Sequence, residues 1–421
     1  MRFIDEIFND NESKMIKLPL PRIGWIWFCL SGIALEFILG VSTASLGLRE
    51  GLIAALAGHA IGFALLWLLG YIGINSGLSW SGLNAVSFGR LGSKGLACLN
   101  MLHVICWISI MIGAAGLIFD RLADVALGYQ NRMMFTAFCG IAVLAISVIP
   151  RKTLRNVHKV LVILMMLSLL SICAALFGKA VPEGGPAFLK MNGRLSFSDA
   201  VELNVTMACS WGSFFIDYIR RTKKEPFVVT TCVAGYSAGS LLMFFAGLYA
   251  ACKTGTEDYT RIIFDVIGWP GLIIIGASLL LRSAVDAAAL ASTVDGKGRI
   301  GQDLIAVIVI AISIVIPLLI NWSLTFSAFY LLGAIASPAF AVIMADYLIF
   351  RRTAPGEGLD VFTVLVWCGG FTVYRIIMSH NVVMGYSMPT FAVTVAIYMV
   401  SVGIGGRRGW RENGRKSAPS S

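Results

Sequence analysis

A handful of side chains capable of acid–base, ionic or stacking chemistry stand inside long apolar stretches of this 421-residue sequence. Glu36 lies midway along SGIALEFILG, where the helical neighbours three and four residues away are Ile33, Gly32, Leu39 and Gly40, so its own helix offers the carboxylate no partner. A carboxylate so placed can accept two hydrogen bonds from an amino-heterocycle or bind a cation. His103 and Trp107 are four apart and share a helix face; the indole supplies a flat surface for a planar ligand and the imidazole a polar group for its edge. Ala208-Cys209-Ser210-Trp211-Gly212-Ser213 sets one Trp in a run of small residues, a place where a helix breaks and frees main-chain groups. Arg282 and Asp286, at i and i+4, can cancel each other's charge. His59 and Arg375 read as packing and snorkelling residues. Asp217 beside Arg220, and Asp346 beside Arg351, fit interfacial ion pairs that anchor helix ends.

The elements that must hold these groups are set by composition. The chain is 57% apolar and 13% charged, with a mean hydropathy of +0.82, whereas soluble domains are roughly 45–50% apolar and about 25% charged. Too little polar surface exists to cover a soluble core, which excludes a water-soluble enzyme, a secreted disulfide scaffold and a disordered chain. An all-α integral membrane protein is expected, with spans of about 20 residues each. Apolar windows predict twelve of them, at 23–42, 52–72, 96–118, 133–149, 160–177, 197–219, 229–252, 270–291, 304–320, 323–349, 361–377 and 388–404. The nine Cys lie singly in or at the ends of these windows, without metal-ligand spacing or a disulfide framework.

Of the 33 Lys and Arg, 23 fall in segments on one side of the predicted spans, 8 on the other and 2, Arg282 and Arg375, within spans. That asymmetry predicts both ends in the cytoplasm of a cell-membrane (inner-membrane) protein. It also accounts for the net charge of +10, and no stretch interleaves bases with aromatics as a nucleic-acid surface would. Residues 1–22, with four acids in MRFIDEIFNDNESK, read as a cytoplasmic lead and 405–421 as a basic cytoplasmic tail. With no long loop, the chemistry must lie inside the bilayer. No Ser/His/Asp or metal-ligand set stands at credible depth, so no enzyme and no bound cofactor are expected, and no ring of like residues suggests a channel.

The same segments carry a resemblance. SGIALEFILGVSTASLG, LAGHAIGFALLWLLGYIGINSGLSW, SFGRLGSKG and LNMLHVICW, followed by SWGSFFIDYIRR, AVDAAALAS and SPAFAVIMADYLIFRR, resemble the nucleobase–cation symporter family over about 330 residues, from Gly24 to Arg352. They look most like its hydroxymethylpyrimidine-transporter (CytX-type) branch. The resemblance implies a leucine-transporter-type fold of two inverted five-helix repeats, 23–177 and 197–349, followed by two extra helices at 361–404. It implies broken spans 1 and 6, with substrate held between spans 1, 3, 6 and 8.

By position, Trp107 matches the family's stacking Trp, Ser210 and Trp211 its contacts at the break in span 6, and Asp286 its substrate-facing stretch of span 8. His103 stands where relatives often have Gln. The family's sodium site uses main-chain carbonyls of span 1, near Gly32, and two adjacent hydroxyl residues of span 8. Here those two positions read Ser283-Ala284 after Arg282, so sodium coupling is expected to be weak or absent, with protons or the Arg282 charge in its place. The implied function is import of a small aminopyrimidine, foremost hydroxymethylpyrimidine, by alternating access and as a monomer. The ring would stack between Trp107 and Trp211, with Glu36 on its amino-imine edge and Ser210, His103 and Asp286 on the remaining polar atoms. A cytosine or purine permease is the alternative; an amino-acid transporter of the same fold is more remote.

Overall fold

The computed structural model describes residues 18–149, 151–177, 195–292, 299–319 and 325–404. The expected N-terminal lead up to residue 17, residues 178–194 and the expected basic tail from 405 lie outside the described residues.

Every one of the twelve predicted windows coincides with a helix or a broken helix pair. Span 1 is split into α1 (Leu20–Ser31) and α2 (Ala34–Ser42); span 2 is α3 (Leu48–Ser76); span 3 belongs to α4 (Trp80–Leu127); spans 4 and 5 are α5 (Arg132–Ser147) and α6 (Arg151–Leu176). Span 6 is split into α7 (Phe197–Ser210) and α8 (Gly212–Ile219), and span 7 is α9 (Val228–Thr254). A short helix, α10 (Tyr259–Ile267), leads into α11 (Trp269–Ser292), and the chain finishes with α12 (Arg299–Leu319), α13 (Thr325–Met344), α14 (Val361–Met378) and α15 (Ser387–Ile404). By length and composition alone, seven helices among the described residues could cross a membrane, eight with the bent pair of span 1. Of the rest, span 6 is split, α5 has 16 residues, and the apolar stretches within α6 and α15 run only over Ile163–Leu176 and Ser387–Gly403.

The helices pack in two groups. α1, α2, α3, α7, α8 and α9 form one, in which α9 lies along both halves of span 1 and α3 along both halves of span 6; α4, α5, α11 and α12 form the other. α13, α14 and α15 pack on one another, with α13 also against α7. Polar backbone in lipid must be satisfied within helices, so helices approach closely through small residues instead of pairing strands. A Cβ on Gly40 would collide with the Phe244 carbonyl, and one on Gly247 with the Phe37 carbonyl, so α2 and α9 meet backbone to backbone. Gly24, Gly235 and Gly239 bring α1 equally close to α9, and Gly58 and Gly62 bring α3 onto α7.

On the side predicted to be cytoplasmic, α4 is broken at Gly89 (φ 76, ψ 168). The loop before α14 docks there, its Gly356 and Gly358 carbonyls accepting from the Arg90 and Leu91 amides at 3.1 and 2.8 Å.

Candidate functional site

Span 1 breaks because Gly32 and Ile33 leave the helical region (φ −71, ψ 69 and φ −113, ψ 155), and its halves are bent by 55°. The last carbonyls of α1 lose their intrahelical partners at such a break. Arg282 of α11 takes one of them, donating from Nη1 to the Leu30 carbonyl at 3.1 Å. Its Nε donates to both oxygens of Asp286 at 2.8 and 3.0 Å, and its guanidinium lies over the Trp211 ring, 4.9 Å from the centroid. Arg282 is 6% exposed, so the ion pair is desolvated and held by geometry.

Trp211 sits at the break of span 6, joining α7 to α8. Trp27 and Tyr236 surround it edge to face, with ring centroids 6.1 and 6.0 Å away. Trp107 lies beside Asp286, and its ring packs edge to face against His103 and Phe329. Asp286, Arg282, Trp211 and the Leu30 carbonyl are therefore joined across spans 8, 6 and 1, with Trp107 of span 3 beside Asp286, at the seam between the two helix groups. Both indoles are buried, 7% and 9% exposed, and the guanidinium occupies the Trp211 face expected to stack a ring.

The remaining expected contacts are placed differently. Ser210 Oγ donates to the Met207 carbonyl at 2.6 Å and Ser283 Oγ to the Leu279 carbonyl at 2.8 Å, so both hydroxyls are bonded within their own helices. His103 Nε2 is buried without a hydrogen-bond partner among the described residues. Gly32 is enclosed by Met166 and the Phe28 carbonyl. Glu36 stands in the first turn of α2, 1% exposed, and aims at span 7: the Ser240 hydroxyl lies 2.5 Å from its Oε1. Ser240 Oγ is in turn 2.9 Å from His59 Nε2, and His59 Nδ1 donates to the Ala55 carbonyl at 2.9 Å. His59 is thus part of a polar chain across spans 1, 7 and 2, beyond the packing role its sequence suggests.

Toward the predicted cytoplasmic side, Asp217 accepts from the Trp80 amide at 3.0 Å and lies 3.3 Å from Arg220 Nε. Asp346 is paired with Arg352 at 3.2 Å and accepts from Tyr398 at 2.7 Å. Arg352, not the expected Arg351, is the partner, because Arg351 takes the left-handed conformation that ends the helix (φ 54) and is exposed.

Sequence reasoning missed Glu202. Fully buried in α7, it accepts from Thr206, Tyr374, the Ser387 hydroxyl and the Tyr386 and Ser387 amides, at 2.6 to 3.0 Å. An acid inside the span 6 window was the available signal; its nearness to the helix start hid it.

Two broken spans that meet where Trp27 packs on Trp211 and Phe215, one helix group of spans 1, 2, 6 and 7, another of 3, 4, 8 and 9, and two added helices define a leucine-transporter-type, multi-pass membrane protein. Among solved structures, the chain is similar to an inward-facing conformation of Mhp1, at 14% identity and a TM-score of 0.76 over 94% of this chain and 92% of that one. It is also similar to Mhp1, a nucleobase-cation-symport-1 family transporter, in a closed conformation with bromovinylhydantoin bound, at 16% identity and 0.68 over 91% and 92%. No family model matches the sequence, and no curated protein does.

Proposed function

We propose that this protein is a secondary active transporter of the nucleobase–cation symporter family, of its hydroxymethylpyrimidine branch, importing a small aminopyrimidine by alternating access. The observation that carries this reading is the convergence of two indoles, a buried carboxylate and a guanidinium at the breaks of spans 1 and 6. A guanidinium stacked on Trp211 and bonded to Asp286 makes the contacts that a planar ring with an amino-imine edge would make: a π-face below and charge-assisted hydrogen bonds to a carboxylate. Glu36 Oε1 is already bonded to Ser240, so Asp286 takes the edge contact first assigned to Glu36. Trp107 closes the other face, and His103, with a free ring nitrogen, and Ser210 serve the remaining polar atoms.

The similarity to Mhp1, one of whose structures holds a hydantoin, supports a small heterocycle as cargo. Each of the two groups that rock about the seam takes two spans from each five-helix repeat, 23–177 and 197–349, and the protein works as a monomer in the cell membrane with both ends cytoplasmic. Arg282 at the Leu30 carbonyl and the missing hydroxyl at Ala284 support transport without sodium. Ligand-induced thermal stabilisation of the purified protein across hydroxymethylpyrimidine, thiamine, cytosine, uracil and hydantoins tests the reading, since a ligand that binds only the folded state raises its melting temperature. Hydroxymethylpyrimidine is expected to stabilise most. Stabilisation by cytosine instead identifies the permease alternative, and none by any compound overturns the proposal.

A further inference from the structure

The chain of hydrogen bonds from Glu36 to His59 can be solved for its protons. The Ala55 carbonyl only accepts, so His59 Nδ1 carries a hydrogen. Between His59 Nε2 and Glu36 Oε1 stands a single hydroxyl, Ser240 Oγ, at 2.9 and 2.5 Å. Two arrangements make every bond. In one, a Glu36 carboxyl donates to Ser240 and the Ser240 hydroxyl donates to a neutral His59. In the other, His59 is an imidazolium that donates from Nε2 to Ser240, and Ser240 donates to a Glu36 carboxylate. They interconvert when the Glu36 O–H breaks as a new Ser240 O–H forms and the old Ser240 O–H breaks as the Nε2–H forms. Two protons each move one step and the net charge of the triad stays zero.

If the shared proton leaves, Ser240 has one hydrogen for two acceptors and a full negative charge is stranded in a site where Glu36 is 1% and His59 6% exposed. Glu36 Oε2 already has no hydrogen-bond partner among the described residues, and the Tyr236 hydroxyl, one helical turn from Ser240, lies against Ser240 without a bond of good geometry. Tyr236 is within electrostatic reach of Glu36, Cys209 and Arg282, and Arg282 in turn holds Asp286. These are the titratable and charged groups that face the triad from α9, α7 and α11. The start of α2 puts the positive end of a helix dipole beside Glu36, which favours the carboxylate arrangement. We propose that Glu36, Ser240 and His59 form a proton-binding site that holds one exchangeable proton and sets the charge presented, past Tyr236, to Arg282. This deepens the transporter reading and rests on it for its role in coupling; the site itself is tested without any substrate.

The experiment is a pH titration of the protein in lipid followed by infrared spectroscopy, which separates the C=O stretch of a protonated carboxyl from carboxylate bands. A band lost in Glu36→Gln is expected to fall as pH rises from mildly acidic to mildly alkaline, with a midpoint that Ser240→Ala and His59→Gln each move by about one pH unit or more. Carbon-13 labelling of glutamate assigns the band in the unaltered protein should Glu36→Gln not fold. Nitrogen-15 labelling of the four histidines is expected to show one ring with Nδ1 protonated throughout and Nε2 titrating with the same midpoint. A Glu36 carboxyl signal and a His59 Nε2 signal that both stay constant across this range, or a midpoint that ignores both substitutions, overturns the proposal. Its failure leaves the ligand-stabilisation result standing, and failure of every ligand leaves this titration standing.

Discussion

Arg282 of α11 donates a hydrogen bond to the main-chain carbonyl of Leu30, the next-to-last residue of α1, across the seam between the two helix groups. A tethered cation thereby satisfies a carbonyl that the break in span 1 leaves without a partner. The same guanidinium is neutralised by Asp286, so a positive group can sit at membrane depth without a free ion.

With the Leu30 carbonyl bonded to Arg282 and the Ser283 hydroxyl bonded back to Leu279, both groups expected to serve a sodium ion are engaged within the protein. Uptake of labelled hydroxymethylpyrimidine into proteoliposomes should be unchanged when the sodium gradient is removed and should fall when the proton gradient is collapsed. Strong dependence on sodium would remove the assignment of Arg282 as a fixed cation.

Removing Arg282 strands Asp286. Arg282→Ala should therefore lower unfolding stability by about 3–5 kcal/mol, the cost of an unpaired buried charge. Arg282→Ala/Asp286→Ala together should cost less than the sum of the single changes, with an interaction of about 0.5–3 kcal/mol. Denaturant unfolding of the four proteins in detergent measures the cycle, and strict additivity would show that the pair is not coupled.

The pairing at Asp346 gives a contrast between adjacent residues. Arg352→Ala removes the partner of a carboxylate that is 1% exposed and should cost about 3–5 kcal/mol. Arg351→Ala, on an exposed side chain, should stay within about 0.5 kcal/mol. Melting temperatures of the two variants side by side check the order; a larger loss in Arg351→Ala would contradict the pairing.

The helical windows, and the four spans whose side chains meet at the candidate site, were legible because hydrophobic runs and charges in apolar surroundings are local features of sequence. Arg282–Asp286 was legible for the same reason, as a spacing on one helix. What was not legible is set by tertiary packing. Glu36 could be recognised as needing a partner, but a serine in YSAGS of span 7 gives no sign that it lies 2.5 Å away. The choice of Arg352 over Arg351 depends on one backbone angle at the helix end. Glu202 finds its donors in spans 6, 11 and 12 and in a loop amide, a set no spacing can reveal.

Glu202 is also open to a test that separates anchoring from ligand binding. Four of its five donors join α7 to α14 and to the start of α15, the fifth being Thr206 of α7 itself, and none of the five belongs to the set around Trp107, Asp286, Arg282 and Trp211. Glu202→Gln puts an NH2 group where hydroxyls and amides donate, so one or more buried donors lose their acceptor, at about 1–3 kcal/mol each. The melting temperature should fall while the increment produced by hydroxymethylpyrimidine is kept. Loss of the ligand increment with an unchanged melting temperature would instead place Glu202 in recognition.

The closest helix approach gives the last prediction. α2 carries Glu36 and is pressed onto α9 by Gly40 and Gly247, each of which has the other helix's backbone where a Cβ would be. Gly40→Ala or Gly247→Ala must push the helices apart by roughly the width of a methyl group, costing about 1–3 kcal/mol by overpacking. The Ser240–Glu36 bond spans that same interface, so the shift should also lengthen it and move the midpoint of the Glu36 carboxyl band. Gly95, with nothing near its Cβ position, is the control, and Gly95→Ala should leave both the melting temperature and the midpoint in place. If Gly40→Ala and Gly247→Ala melt like the control, the backbone contact of α2 and α9 is not what holds Glu36 against Ser240.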